Sequence, residues 1–233
     1  MKSEITINSF SEYIKNVESI SHKDGFIFLF RGQNVDKPLL PSIARDNPKK
    51  ETKELEIEII TELKRRAIKI DDSIKLKNNW DWLVYAQHFG LKTRLLDWTS
   101  NPLVALFFSC MDYDDSDSYV YRFIADKSMQ VNKRSNLSPF SITSTKVLRP
   151  PQNNDRIIAQ SGWFTAHAYS NSSKRFISLE KNKKTINRIQ KYRIPNNIKE
   201  EIMEKLHVFG INYQTMYPDF DGICEQLNWE YEL

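Results

Sequence analysis

Between residues 9 and 20, Phe10, Ile14 and Val17 recur at the spacing of one helix face, with Ser9 or Ser11 placed to cap it. The pattern changes at Asp24-Gly25, a turn pair. Phe26 to Phe30 then run unbroken and apolar over a strand's length, which predicts a buried strand at 26–31 with Arg31 emerging from the core. Over 51–70, Leu55, Ile59, Leu63 and Ala67 form a helical stripe, with Ile60 and Ile70 beside it. A further helix is predicted at 79–89, stopped by Gly90, and "TRLLDW" reads as a short strand or turn. Asn101-Pro102 opens a helix at 101–111, because proline is favoured in a first helical turn. After the acidic loop "DYDDSDS", the stretch 119–125 alternates in β-forming residues. Residues 127–155 read as a long polar connection carrying short strands such as "TKVLR". Strands are expected at 156–160, within "RIIAQSGWFTAHA" and broken at Ser161-Gly162, at 175–179 and at "KYRIP". A last helix at 197–208 aligns Ile198, Ile202 and Leu206 and ends at Gly210. Together these elements predict an α+β chain.

Composition adds bounds. With 233 residues, 40% hydrophobic, the chain is long enough to bury a core without staples, and one compact domain over 1–233 is expected. Thirty-four Lys and Arg against 30 Asp and Glu give a net charge of +4, too balanced to imply nucleic-acid binding by bulk electrostatics. A basic run from Lys174 to Arg193 holds Glu180 as its one acid, and reads either as a solvated face or as an anion site. Cys110 and Cys224 match no metal-ligand spacing and no disulfide framework, which fits a reducing cytoplasm. The N-terminal stretch has no apolar h-region, and no segment approaches about 18 consecutive apolar residues, so neither secretion nor membrane spanning is expected.

Candidate chemistry concentrates in "QHFGLKTRLLDWTSNPLVALFFSC", residues 87–110. Arg31, at its strand end, is placed either to fork onto a phosphate or carboxylate, or to tie Asp97 into the scaffold. His88 reads as an acid, base or hydrogen-bond donor, or as a helix-end histidine on the C-terminal dipole. Arg94 and Asp97, three apart in an extended segment, point to opposite faces. Arg94 is then expected to face a cleft and Asp97 to need a partner such as Arg31 or His88. Thr99, Ser100 and Asn101 suit a helix cap, and the free N–H groups there suit an anion beside Arg31. Arg156 and Gln160 share one face of the expected strand, near Trp163 and Phe164.

The motifs "FRGQ", "LLPSIAR", "AQHFGLKTRLLDWTSNPLVALFFS", "RIIAQSGWFTAH" and "MYPDFDGI" resemble the FRG domain family, named for its Phe-Arg-Gly motif, here Phe30-Arg31-Gly32, from about residue 20 to 224. A weaker resemblance is to ADP-ribosyltransferases, in which an Arg, a Ser-Thr-Ser segment before an "Ala-x-x-Phe" helix, and a Glu follow in that order. Arg31, Thr99-Ser100 with Ala105 and Phe108, and Gln160 take those places, with Gln160 departing from the acid. This resemblance implies a split, mostly antiparallel sheet flanked by the predicted helices. It also implies NAD as a substrate, no metal, and a protein or nucleic-acid acceptor or simple NAD hydrolysis. Gln160, His88 and Arg31 would be catalytic. Arg31, Gly32, Arg94, Asp97, Thr99, Ser100 and Arg156 would hold the nucleotide, and the site would gather into one concavity. The alternative is a non-catalytic module that keeps the cleft for a nucleotide-like ligand or a partner. A hydrolase using His88, Asp97 and Ser100 is a third reading, without a nucleophile-elbow sequence. A Lys-, Asn- and Ile-rich chain of this kind would suit a bacterial toxin or phage-defence effector.

Overall fold

The structure is a computed structural model and describes residues 3–20, 24–68, 76–112, 115–132 and 137–233. The chain enters through strand β1 (Ile5–Thr6) and helix α1 (Phe10–Glu18), whose cap Ser9 accepts from the Glu12 amide. Gly25, at φ 93°, turns it into β2 (Phe26–Gln33). Helices α2 (Lys53–Ala67) and α3 (Asn79–His88) lead to β3 (Leu95–Thr99), and Asn101 caps α4 (Pro102–Cys110) through the Leu103 amide. Then come β4 (Ser118–Asp126), β5 (Lys146–Leu148), the one-turn helix α5 (Asp155–Ala159) and β6 (Gly162–Ala166). The hairpin β7 (Tyr169–Ser170) and β8 (Arg175–Phe176) precedes β9 (Ile189–Ile194). Helices α6 (Lys199–Val208), α7 (Tyr213–Met216) and α8 (Phe220–Glu230) close the chain.

Seven strands form one sheet in the order β1-β9-β4-β2-β3-β6-β5, antiparallel throughout except for β1 on β9. β2 pairs with β4 along its whole length, from Phe26–Asp126 to Gln33–Tyr119. Against β3 it pairs only at Phe30–Thr99. The sheet is therefore zipped on both sides of a single loose seam. α4 lies across one face, where Val104, Leu106 and Phe107 meet Phe30, Val120 and Tyr192 and the inner side of α6. A fully buried side chain such as Phe107 contributes roughly 1.5–3 kcal/mol by leaving water. Separate apolar clusters lie around Leu29, Leu96 and Trp98, and under α3 around Leu83, Leu95 and Phe164. Among the described residues no helix is long and apolar enough to cross a membrane.

Several sequence expectations need correction. Residues 156–159 belong to helix α5, with Gln160 as its C-cap, and not to a strand: Asn154 accepts from the amides of Arg156 and Ile157, and this N-cap overrides the apolar pair Ile157-Ile158. Arg156 and Gln160 thus share no strand face. The expected strand 175–179 shrinks to Arg175–Phe176 and pairs only with β7. Both edges of β6 are already taken by β3 and β5, so the following hairpin cannot pair beside β6. In α2 the buried positions are Glu56 and Ile60, not the Leu55–Ile59 stripe, because Glu56 turns inward to meet Arg94. Residues 69–70 of the expected 51–70 helix lie outside the described residues.

Candidate functional site

Where β2 and β3 part beyond the Phe30–Thr99 pair, a cleft of about 570 Å³ opens. The Phe-Arg-Gly segment forms its edge, and each residue has a distinct task set by strand alternation. Phe30 is 3% exposed and packs with α4. Gly32 lies against the same helix so closely that an added Cβ would stand 2.0 Å from the Ala105 carbonyl oxygen. Arg31, between them, turns to the other side and lines the cleft. Its Nη1 donates to the Asp97 carbonyl oxygen at 2.9 Å, bridging the seam where ladder hydrogen bonds stop. Its Nε is buried and has no hydrogen-bond partner among the described residues, and the same holds for Oε1 of Gln33, two residues on. An unpaired buried polar atom costs about 1–3 kcal/mol, so these two atoms mark where a ligand's polar groups would be welcomed. Burial pulls the Arg31 guanidinium down to about 10, with Asp97 opposing and Arg45 adding to the shift; it stays cationic at neutral pH.

Asp97 is held by a directional relay. The Thr93 hydroxyl accepts from the Leu95 amide at 3.1 Å, so its own proton goes to Gln87 Oε1. That fixes the Gln87 amide, whose Nε2 donates to Asp97 Oδ1 at 2.6 Å. The other oxygen, Oδ2, lies 3.8 Å from Arg31 Nη1, and the side chain is 55% exposed. Asp97 was expected to be buried on a partner; it is instead oriented but open. His88 also lines the cleft. Since Asn154 Oδ1 serves the helix cap, its Nδ2 faces His88 Nε2 at 2.9 Å, and the imidazole accepts there with its proton on Nδ1. Burial, then the Arg156 charge, hold the His88 pKa below its ordinary value. His88 is a neutral donor through Nδ1, its lone pair already engaged.

The opposite wall comes from α5, with Gln160 at its end, and from Tyr217, which caps the end of α7. Arg156 pairs with Asp219, Nε to Oδ2 at 2.8 Å, and its guanidinium stands 5.2 Å over the Tyr217 ring. The Arg156 hydrogen bond is the main reason Asp219 titrates below the usual carboxylate range. Gln160 Nε2 donates to the Met216 carbonyl oxygen at 3.0 Å.

The structure thus brings Arg31, Gly32, His88, Asp97, Thr99, Arg156 and Gln160 to one cleft. Two expected site residues are elsewhere. Arg94 is fully buried: its Nε donates to Glu56 Oε2 at 2.7 Å and its Nη1 to the Pro139 carbonyl at 2.7 Å. Leu95 and Leu96 are both buried too, so β3 is covered on both faces and the alternation that put Arg94 toward a cleft does not hold. Ser100 is exposed and extends the β3–β6 pairing through its amide to the Ser161 carbonyl. The Thr99 hydroxyl accepts from the Asn101 amide, which leaves it a turn-forming role. Nor does the N-terminus of α4 open on the cleft; the helix presents its flank, through Ala105 and Phe108.

Residues 27–118 match the FRG domain family. The match spans β2 to the start of β4, and so includes Arg31, Gly32, Gln87, His88, Asp97 and Thr99. No curated protein matches the chain, and no solved structure does. The wall made by Arg156, Gln160 and Tyr217 lies beyond the matched FRG segment. Residue-by-residue reading missed Gln33, Arg45 and Tyr217 as cleft residues. Tyr217 stands in "MYPDFDGI", a quoted motif whose Gly222 lets α8 start against Tyr217: a Cβ there would meet the Tyr217 carbonyl oxygen at 1.9 Å. For Arg45, in "LLPSIAR", no local signal separates it from a surface arginine.

Proposed function

We propose that the cleft binds a nucleotide-like ligand with a phosphate on Arg31, and that the chain uses NAD in the manner of an ADP-ribosyltransferase or NAD glycohydrolase. The observation that carries this is the unpaired, buried Nε of Arg31 at the seam of the sheet. A cleft-lining guanidinium with one Nη tied to the backbone and its Nε unsatisfied is oriented for a phosphate oxygen. Arg45 and Lys37 add positive charge on the same cleft, while Trp163 and Phe164 offer flat apolar wall for a base or nicotinamide ring. Acceptors of the ADP-ribosyl group would be a protein, a nucleic acid or water; a role as a bacterial toxin or phage-defence effector belongs to this reading.

One observation favours the second reading, a non-catalytic nucleotide- or partner-binding module. Gln160, in the place where the resemblance calls for a glutamate, is an amide tied to Met216. Incubating the purified chain with NAD and following nicotinamide release separates the two. Release supports the enzyme, whereas binding of ADP-ribose without release supports the module. Failure to bind either compound contradicts both.

A further inference from the structure

Helix α8 is anchored by its polar side. Its buried residues are Gly222 and Gln226, and Gln226 accepts from the Tyr213 amide at 3.1 Å and donates to Glu230 at 2.9 Å. Phe220, Ile223 and Leu227, with Tyr231 at the helix end, fall on the opposite side, within roughly 80° of one another at about 100° per residue. They are exposed, from 38% for Ile223 to 78% for Phe220, and among the described residues none of them joins an apolar cluster of the fold. Single exposed apolar side chains are ordinary. A row at i, i+3, i+7 and i+11 is instead the anchor pattern with which a helix meets a partner. With its polar side toward the core and its apolar side toward water, α8 directs its amphipathy outward.

The charge around this row decides what fits it. From Asp219 to Leu233 the chain holds Asp219, Asp221, Glu225, Glu230 and Glu232 and no Lys or Arg. Asp219 caps α8 and pairs with Arg156, which also stands 3.8 Å from Asp221. Among the described residues Glu225 and Glu232 form no ion pair. Two copies joined through this row would set their acids against each other, and an anionic lipid surface would repel them. A protein segment with its own apolar row flanked by Lys or Arg meets both features at once.

We propose that the outer face of α8 docks a basic amphipathic helix of a partner protein, with Phe220, Ile223, Leu227 and Tyr231 taking its apolar side and Asp221 and Glu225 its cations. The face begins at the Arg156–Asp219 pair, and Arg156 lines the cleft, so the partner sits beside the cleft wall. The proposal is independent of which ligand the cleft binds.

Fluorescence anisotropy of a labelled synthetic helix of about 14 residues, with leucines along one face and lysines along both flanks, tests it on the intact chain. Binding with a Kd of about 10 μM or tighter is expected, weakening as salt is raised. The same peptide with glutamates for lysines should bind at least about tenfold more weakly. Leu227→Ser should weaken the lysine peptide about tenfold and Glu225→Lys about threefold, both at unchanged melting temperature, because these side chains lie outside the apolar clusters. Ile223→Ser is the second variant should Leu227→Ser fold poorly. No binding of the lysine peptide, equal binding of the two peptides, or an affinity untouched by both serine substitutions overturns the proposal. So does a dimer in sedimentation equilibrium at about 100 μM that Leu227→Ser abolishes, which gives the face to a second copy. Binding to phosphatidylserine vesicles that is lost in the same variant gives it to a membrane and overturns the proposal as well.

Discussion

Arg31 reaches across the seam of the sheet to the backbone carbonyl of Asp97, 66 residues away, at 2.9 Å. This one contact does what the missing β2–β3 ladder would otherwise do. It also leaves the rest of the guanidinium facing a cleft. Scaffold and ligand site meet in the same side chain, and substitutions around it sort by which of the two they touch.

Gly32 belongs to the scaffold. Gly32→Ala would press a methyl to 2.0 Å from the Ala105 carbonyl oxygen and 2.6 Å from the Ser109 amide, both backbone atoms of a buried helix. A shift of β2 or α4 must follow, at a cost of about 3 kcal/mol or more. Denaturant unfolding of Gly32→Ala should show that loss; a variant as stable as the original would mean that β2 and α4 have room to separate.

Arg94 is scaffold as well. Arg94→Ala leaves Glu56 buried, 1% exposed, without its cation, and breaking a buried pair in this way costs about 3–5 kcal/mol. Ligand affinity should change little in whatever fraction remains folded. Loss of ligand binding at unchanged melting temperature would return Arg94 to the site.

Gln160 tests why this chain departs from the acid that the ADP-ribosyltransferase resemblance calls for. Its Nε2 donates to the Met216 carbonyl, so Gln160→Glu sets a carboxylate against a carbonyl oxygen, acceptor on acceptor. The variant should lose about 1–3 kcal/mol of stability and gain no nicotinamide release. A stable Gln160→Glu with enhanced release would show that the amide is a disabled catalytic acid.

Acid should destabilise the fold through His167. It is 1% exposed, and its Nε2 lies 3.3 Å from the Thr165 hydroxyl, which itself accepts from Trp98 Nε1 at 3.0 Å. Burial, reinforced by the charges of Arg45, Arg94 and Arg31, pulls its pKa to about 3. The unfolded chain takes up a proton near 6.5 that the folded one refuses. Stability is therefore full above about pH 6.5 and falls by up to about 1.4 kcal/mol per pH unit below it, until the folded pKa is reached. His167→Asn should show a shallower loss between about pH 6 and pH 4.5. Parallel curves for the two proteins would remove His167 as the cause.

Much of the fold was legible because its elements are marked by local chemistry. Gly25, Gly90 and Gly210 all adopt positive φ where turns or helix ends were placed. Asn101-Pro102 starts α4 as expected. Reading failed where two local signals competed or where pairing was decided at long range. Ile157-Ile158 looked like strand, but the Asn154 cap won. The hairpin at 169–176 could not be foreseen as separate, because the occupancy of both β6 edges is a property of the whole sheet. Arg31 and Asp97 could be named as partners. That Arg31 would take the carbonyl and leave the carboxylate open depends on a seam that alternation does not encode.

The most direct measurement is a titration of ADP-ribose into the intact chain and into Arg31→Lys, with melting temperatures for both. Lysine keeps the charge but loses the planar fork. If Arg31 holds a phosphate, affinity falls by about 1–3 kcal/mol, roughly 5- to 150-fold, while the melting temperature moves by only a few degrees or less. Unchanged affinity together with a large drop in melting temperature would contradict the account and leave Arg31 as a clasp between two strands.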